Sequence, residues 1–211
     1  MRTRFILVFL LAFQCLTGQD IDIPILIEAE SFQNKGGWVV DPQFVEQMGS
    51  PYLLAHGLGE PVEDALTNFR AEQKGNYHVW VRTMNWAPGD WEAPGRFRLK
   101  VNGQDLGTDL GTESDWSWQY AGSVRLDKGN NTLHIVDLSG FDGRCDAICF
   151  TREKESPPND LSDLKIWRQK VRGLSDTPKE SHKFDLVRTG GVIAVCAAAI
   201  AAGEEGAKVA L

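Results

Sequence analysis

The feature that most constrains this chain is a series of short strand-like segments, separated by turn residues, between Ile21 and Arg152. β-Branched, aromatic or alternating apolar residues fill each segment, and pairs such as Asn102-Gly103 and Asp142-Gly143 lie between them. Asn-Gly and Asp-Gly favour tight turns, and a period of two is typical of strands. The pattern predicts a mainly β domain folded as a sandwich. Its clearest segments are 23–30, 76–84, 95–103, 121–126, 131–138 and 145–150.

Alternation also predicts which faces of these strands are buried. In the segment 76–84, Tyr77, Val79 and Val81 share one face, and Trp80 lies on the other. A tryptophan is costly to leave in water, so the second face is expected to be covered or to bind something.

The net charge argues against nucleic acid as a partner. The 211 residues carry a formal net charge of -7, and the sequence contains no local cluster of Lys and Arg. Proteins that bind nucleic acid through phosphates usually present such a cluster. With 42% apolar and 24% charged residues, the composition is that of an ordinary globular protein.

The first residues have the layout of a secretory signal peptide. Arg2 and Arg4 precede an apolar run, Phe5 to Phe13, that is too short to span a bilayer as a stable helix. We assign residues 1–19 to this signal, which predicts a secreted or periplasmic protein without a membrane partner after the signal is removed.

Two cysteines belong to the sandwich region. Cys145 and Cys149 are four positions apart, and in one extended strand they would be about 13 Å apart, beyond disulfide reach. They are therefore expected to be small buried residues, and no Cys or Cys/His spacing typical of zinc is present.

Six motifs follow one another along the sandwich region: IEAE (27–30), GGW (36–38), GNYHVWVR (75–82), FRLKVNG (97–103), LDKGNNTLHI (126–135) and CDAICF (145–150). Their order resembles that of the jelly-roll, galactose-binding-like carbohydrate-binding modules, especially those of golvesin and xanthan-lyase type. The resemblance covers about residues 25–152. It implies a jelly-roll β-sandwich more firmly than it implies a ligand, and it makes a polysaccharide a possible partner.

The same resemblance implies a structural calcium ion. In the sugar-binding relatives, the glutamates of the E-x-E motif and an aspartate in the last strand hold this ion, and Glu28, Glu30 and Asp146 match those positions. Residues two apart on a strand face the same side, and carboxylate oxygens suit calcium. The alternative is that Glu28 and Glu30 are two solvated residues on an outward face.

The tryptophans provide a second candidate site. Four of them lie in two segments rich in Gly, Pro, Asp and Ser, 85–95 and 111–122, where loops are expected. A pyranose ring can stack on an aromatic side chain while amides and carboxylates bind its hydroxyls, and loops on a rigid scaffold commonly carry binding residues. The alternative is that these rings close the ends of the sandwich or cover an interface. The candidate ligand-binding residues are Trp86, Trp91, Trp116, Trp118, Asn85 and Gln119.

No arrangement of residues in the sandwich region predicts catalysis. The four histidines, at 56, 78, 134 and 182, are scattered and lack the neighbours that a triad or a metal site requires. The segment 49–61, which contains HGLGEP, predicts a turn-rich loop.

A linker with an amphipathic helix is expected after residue 152. Charged and proline residues follow Arg152, and then Leu161, Leu164 and Trp167 recur at helical spacing behind Asn159, a possible N-cap. We assign residues 153–182 to this linker and residues 20–152 to the sandwich.

The C-terminal segment FDLVRTGGVIAVCAAAIAAGEEGAKVAL, residues 184–211, resembles the opening strand, turn and helix of FAD-dependent oxidoreductases. The resemblance implies a Rossmann-type β-α fragment over 183–211 with FAD as the cofactor of the parent family. Gly190 and Gly191 keep part of the glycine-rich turn, whereas Val192 and Val195 stand where the fold needs glycines for pyrophosphate approach and helix packing. The flavin site is expected to be incomplete, with the rest of the flavin domain missing.

The sequence therefore predicts an accessory, carbohydrate-binding-like module of a secreted FAD-dependent oxidoreductase, truncated and not catalytic alone. Two alternatives stay open. The sandwich could be purely structural, or the chain could be an incomplete piece of a functional flavoenzyme.

Overall fold

A computed structural model of the chain describes residues 23–175, 182–187 and 193–210. The chain forms two compact units, Met1–Arg172 and Gly173–Leu211. The predicted signal peptide, 1–19, lies outside the described residues. Within the described ranges, no helix is both long enough and apolar enough to cross a membrane.

In the part of the first unit that the structure describes, ten strands form two antiparallel sheets. One sheet has the order β2-β3-β10-β5-β8, with β1 also paired to β10, and the other has the order β4-β9-β6-β7. In chain order the strands are β1 (Ile25–Glu28), β2 (Val39–Asp41), β3 (Tyr52–His56), β4 (Ala65–Ala71), β5 (Gly75–Thr83), β6 (Phe97–Val101), β7 (Gln104–Asp105), β8 (Ser117–Leu126), β9 (Gly129–Asp137) and β10 (Phe141–Thr151).

The main core contains the alternate apolar residues of both sheets. Val79 and Val81 of β5 and Leu99 of β6 are fully buried in one cluster, as the period of two predicted. Each such side chain stabilises the fold by about 1.5–3 kcal/mol relative to an exposed position. Cys145 and Cys149 are buried free thiols, which confirms that they are not bridged.

The segment predicted as a turn-rich loop, 49–61, instead contains β3. Tyr52, Leu53 and Ala55 are fully buried, and β3 lies between β2 and β10. The loop prediction is wrong for residues 52–56. The run 52–56 is short and lies between Gly- and Pro-containing neighbours, so it shows little hydrophobic periodicity. Its strand conformation comes from pairing with β2 and β10.

A helix covers the second face of the larger sheet. The helix α2 (Leu161–Val171) follows a one-turn helix α1 (Val45–Met48) and belongs to the first unit. Its Leu164 is fully buried with Trp118, Ala147 and Cys149, and Trp80 packs against this cluster. The face that carries Trp80 is therefore covered.

The N-cap of α2 is Asp160, not the predicted Asn159. The Asp160 carboxylate accepts a hydrogen bond from the Ser162 backbone N–H at 3.0 Å. Asn159 is engaged elsewhere, because it accepts from Arg82 at 3.2 Å and donates to the Trp116 carbonyl at 2.8 Å.

The second unit contains a strand-helix-strand arrangement. The strands β11 (Leu186–Val187) and β12 (Val209–Ala210) pair in parallel, and α3 (Ile193–Glu204) lies between them in the chain. None of the α3 side chains is buried. Gly190 and Gly191, the residues of the predicted flavin turn, lie outside the described residues.

Candidate functional site

Strand pairing brings the three predicted metal ligands into one carboxylate cluster, which we define as Glu28, Glu30 and Asp146. Glu28 ends β1, and β1 pairs with β10 so that Glu28 is opposite Ala147, the residue after Asp146. Glu30 follows in a 3-10 turn, Ala29–Ser31, which keeps it near Glu28. The alternative of two fully solvated glutamates does not hold, because Glu28 is only 9% exposed.

Two arginines neutralise the cluster. Arg82 of β5 places Nη1 3.0 Å from Asp146 Oδ2, and Arg168 of α2 places Nη2 2.7 Å from the same oxygen. The Arg168 Nη2 atom is also 3.4 Å from Glu28 Oε2. Asp146 is fully buried, and a buried carboxylate requires such charged partners.

The environment of the cluster raises the pKa values of its glutamates. Desolvation by burial raises the pKa of Glu28, and the nearby Arg168 guanidinium opposes this effect. Burial raises the pKa of Glu30 to about 7, with Glu28 and Asp146 adding repulsion. The Oε2 atom of Glu30 is buried without a hydrogen-bond partner among the described residues. The protonation of Glu30 is therefore expected to change near neutral pH.

The donor set does not fit a calcium ion while Arg168 is in place. Calcium binds six to eight oxygens at about 2.3–2.6 Å, whereas guanidinium nitrogens already contact the carboxylates of Asp146 and Glu28. Across 23–175, 182–187 and 193–210, no group of three or more His, Cys, Asp or Glu side chains is arranged to hold a metal ion. Calcium at Glu28, Glu30 and Asp146 stays a prediction.

The second candidate site comprises the exposed ring of Trp91 and the stacked rings of Trp86 and Phe141, which we define together as the aromatic surface. The rings of Trp86 and Phe141 are stacked, with centroids 5.8 Å apart and planes 18° apart. The Trp86 Nε1–H donates to the Phe141 carbonyl at 2.8 Å, which ties the loop after β5 to the start of β10. Trp91 is 63% exposed and Phe141 is 46% exposed. The surface offers apolar ring faces to solvent.

The loop that carries Trp91 holds its ring in one position. Trp91 Nε1–H donates to the Ala87 carbonyl at 2.9 Å, and the ring lies across Gly89. A Cβ on Gly89 would come within 2.3 Å of the Trp91 ring, so the close approach requires glycine. This exposed tryptophan is therefore positioned by its loop.

Charged groups border the aromatic surface. The Arg144 guanidinium lies over the Trp86 ring, with Cζ 5.7 Å from the ring centroid. Asp142, next to Phe141, pairs with Nδ1 of His56, and that histidine is exposed. Hydroxyl groups of a ligand stacked on the rings would find hydrogen-bonding partners here.

Two of the predicted tryptophans have structural contacts instead. Trp118 is 7% exposed, packs against Trp167 of α2 and donates from Nε1 to the Pro158 carbonyl at 3.1 Å. Trp116 is half-buried, with its ring 5.3 Å from the Tyr52 ring and 5.9 Å from Arg82 Cζ. Trp118 therefore packs between the sheet and α2, and Trp116 packs beside Tyr52 and the Arg82 guanidinium.

The predicted amides also have internal partners. Asn85 is 5% exposed, and its Oδ1 accepts from the Ala87 N–H at 3.0 Å. Gln119 is 8% exposed, and its Oε1 accepts from the Gly111 N–H at 3.0 Å and from Thr112. These contacts shape loops, and the Gln119 Nε2 atom is buried without a hydrogen-bond partner among the described residues.

Sequence reasoning missed Phe141, Arg82 and Arg168. Phe141 follows Gly140 in a turn, and nothing in the sequence near it indicates that it would stack on Trp86. Arg82 lies two residues after Trp80 in β5, and its partner Asp146 comes 64 positions later in the chain. Only tertiary contact identifies these residues.

No protein-family model and no curated protein matches the chain. Among solved structures, the Podospora anserina GH26-CBM35 β-(1,4)-mannanase is 24% identical with a TM-score of 0.50, over 65% of this chain and 29% of the mannanase. A family 35 carbohydrate-binding module from Clostridium thermocellum is 22% identical with a TM-score of 0.49, over 60% of this chain and 96% of the module. The CBM35 of Cellvibrio japonicus Abf62 is 17% identical with a TM-score of 0.45, over 63% and 96%.

These likenesses concern the fold. The first unit is a mainly β, jelly-roll-like sandwich similar to that of carbohydrate-binding modules, as the sequence predicted. The chain spans less than a third of the mannanase that it matches. A shared fold does not determine a ligand, because the function of a sandwich lies in its own surface residues.

Proposed function

We propose that the first unit is a carbohydrate-binding accessory module that binds a polysaccharide through the aromatic surface. Two observations carry this proposal: the Trp91 ring is exposed and held by its loop, and the rings of Trp86 and Phe141 are stacked, with Phe141 exposed. Apolar sugar faces stack on such rings, and rings held in place lose little entropy on binding. Arg144 and the His56–Asp142 pair supply polar contacts at the edge.

The test is affinity electrophoresis of the chain through gels that contain single polysaccharides. The first choice is β-1,4-mannan, because the matched mannanase is named for that linkage. Retardation is expected with at least one polysaccharide, and Trp91→Ala should weaken binding by about tenfold or more, as loss of a binding hot spot does.

A matched control is Ile166→Ala, which removes another exposed apolar side chain, 65% exposed, from α2. This variant should be retarded like the wild type. If no polysaccharide retards the wild type, the sandwich is a structural or interaction domain and the binding proposal is rejected. If the wild type and both variants are retarded alike, Trp91 is not part of the binding site and the aromatic surface is rejected as that site.

We also propose that this module belongs to an exported FAD-dependent oxidoreductase, with the second unit as the start of its flavin domain. The parallel pairing of β11 and β12 around α3 supports this proposal, because a Rossmann-type domain opens with that arrangement. Export is proposed on the N-terminal sequence alone. The chain by itself is expected to purify colourless, and a chain extended by its downstream reading frame should show bound-flavin absorbance. An extended chain that stays colourless after reconstitution with FAD would reject the flavin assignment.

A further inference from the structure

The arrangement around Arg168 is that of a cation site filled by a side chain. Its guanidinium contacts oxygens from three separate parts of the sandwich. Nη2 lies 2.7 Å from Asp146 Oδ2 and 3.4 Å from Glu28 Oε2, and Nη1 donates to the Met48 carbonyl at 3.1 Å and to Ser50 Oγ at 2.8 Å. Two carboxylates, a carbonyl and a hydroxyl form the kind of oxygen set that hard divalent cations prefer.

The donors are oriented toward this position by their own contacts. Ser50 Oγ–H donates to Asp146 Oδ1 at 2.9 Å, so its lone pairs remain available to Arg168. The Met48 carbonyl comes from the end of α1, where a helix leaves its last carbonyls without helical partners. Arg168 donates to the Met48 carbonyl and at the same time pairs with the carboxylates of Glu28 and Asp146.

Arg168 is one of the two buried residues of α2. It is 7% exposed, and the other buried residue, Leu164, lies one turn earlier. The two residues share one face of α2. Leu164 anchors this face in the apolar cluster, and Arg168 anchors it in the carboxylate cluster.

We propose that the Arg168 guanidinium takes the place of a divalent cation and thereby fastens α2 to the sandwich. A divalent ion and the guanidinium cannot occupy the same oxygens, because their positive charges would be only a few ångströms apart in a buried site. Arg82 also contacts Asp146, and Arg172 Nη1 lies 3.9 Å from Glu28 Oε1, so arginines already supply the positive charge around both carboxylates. The site therefore excludes a divalent cation while Arg168 is in place, and removal of Arg168 frees the oxygens that its guanidinium contacts.

The test compares thermal unfolding of the whole chain in EDTA and in excess CaCl2. The wild-type Tm should be the same in both buffers, and calorimetric titration with Ca2+ should give no binding heat. Arg168→Ala should be less stable in EDTA and should gain roughly 5–10 °C at about a hundredfold excess of Ca2+ over its Kd. Arg168→Lys, which keeps a cation, should gain less than Arg168→Ala. The control Lys170→Ala, at an exposed position of the same helix, should behave like the wild type.

Each outcome decides the proposal. If Arg168→Ala is unfolded in EDTA, calcium should restore folding, and a variant that stays unfolded in both buffers overturns the proposal. Calcium binding by the wild type, or an Arg168→Ala variant that is neither destabilised nor stabilised by calcium, also overturns it.

Discussion

The two longer helices of this protein differ in what holds them. The helix α2 is polar over most of its surface, yet Asp160 caps it, Leu164 is fully buried and Arg168 binds two carboxylates. The helix α3 is rich in alanine and isoleucine, and none of its side chains is buried. Ile193 and Ile200 are 90% and 63% exposed. The contacts of Leu164 and Arg168 join α2 to the rest of its unit. The apolar composition of α3 does not by itself bury any of its side chains.

The largest expected effect comes from the charge network below α2. Asp146→Asn keeps the size of the side chain but leaves Arg82 and Arg168 without their shared carboxylate. Breaking a buried pair in this way typically costs about 3–5 kcal/mol of unfolding free energy. Urea denaturation followed by tryptophan fluorescence measures the loss. The exposed ion pair Arg70–Glu72 is the control, and Glu72→Gln should cost no more than about 1 kcal/mol. Equal losses for the two variants would contradict the assignment.

Two alanine substitutions compare how much side-chain packing stabilises α2 and α3. Leu164→Ala removes a fully buried side chain of α2 and should lower the unfolding free energy by about 2–4 kcal/mol. Ile200→Ala removes an exposed side chain of α3 and should change it by less than about 0.5 kcal/mol. Denaturation curves of both variants test this difference. A stronger effect at Ile200 would mean that α3 packs on a surface absent from the described residues.

A smaller effect is expected at the start of α2. Asp160→Ala removes the cap that accepts from the Ser162 N–H and hydroxyl, so α2 should fray and the Tm should fall by less than in Leu164→Ala. The same hydrogen bonds lower the pKa of Asp160, so its contribution should weaken as the pH falls through that lowered value. Asp163→Ala, which removes a carboxylate from the same turn without removing the cap, should have less effect. Circular dichroism during thermal unfolding compares the two variants.

A pH-dependent effect is expected from Glu30. Burial raises its folded pKa to about 7 from the ordinary glutamate value of 4.5, so the folded state holds the proton more tightly than the unfolded state. Its stabilising effect is full below about pH 4.5 and is lost as the pH rises through about 7. Glu30→Gln should flatten the decrease in stability between these pH values in calcium-free buffer. A variant with the same pH dependence as the wild type would show that Glu30 ionises normally.

Most of the sandwich could be predicted from local pattern. All six strand segments read from the sequence contain strands, because alternation and turn pairs act within a few residues. The strand β4 was missed although its alternation was available, since Ala65, Thr67, Phe69 and Ala71 are its buried positions. The strand β3 had no such signal and depends on its neighbours.

The candidate sites were predictable only in part. The proximity of Glu28, Glu30 and Asp146 followed from a resemblance of motifs, and Trp86 and Trp91 followed from their loop context. Four other candidates lie in segments of the same composition as those of Trp86 and Trp91, yet each makes internal contacts: Trp116, Trp118, Asn85 and Gln119. Whether a loop tryptophan is exposed depends on what packs against it, and here that partner is largely α2 and the residues near it.

The sequence by itself determined the β-sandwich, the buried face of the segment 76–84, the unbridged cysteines and the helix after residue 160, because periodicity, turn chemistry and chain reach are local properties. Tertiary structure alone decided that α2 covers the Trp80 face, that Phe141 stacks on Trp86 and that Arg168 reaches the carboxylates of Glu28 and Asp146. Each of these contacts joins residues far apart in the chain, and the charge and burial at such a contact depend on both partners together.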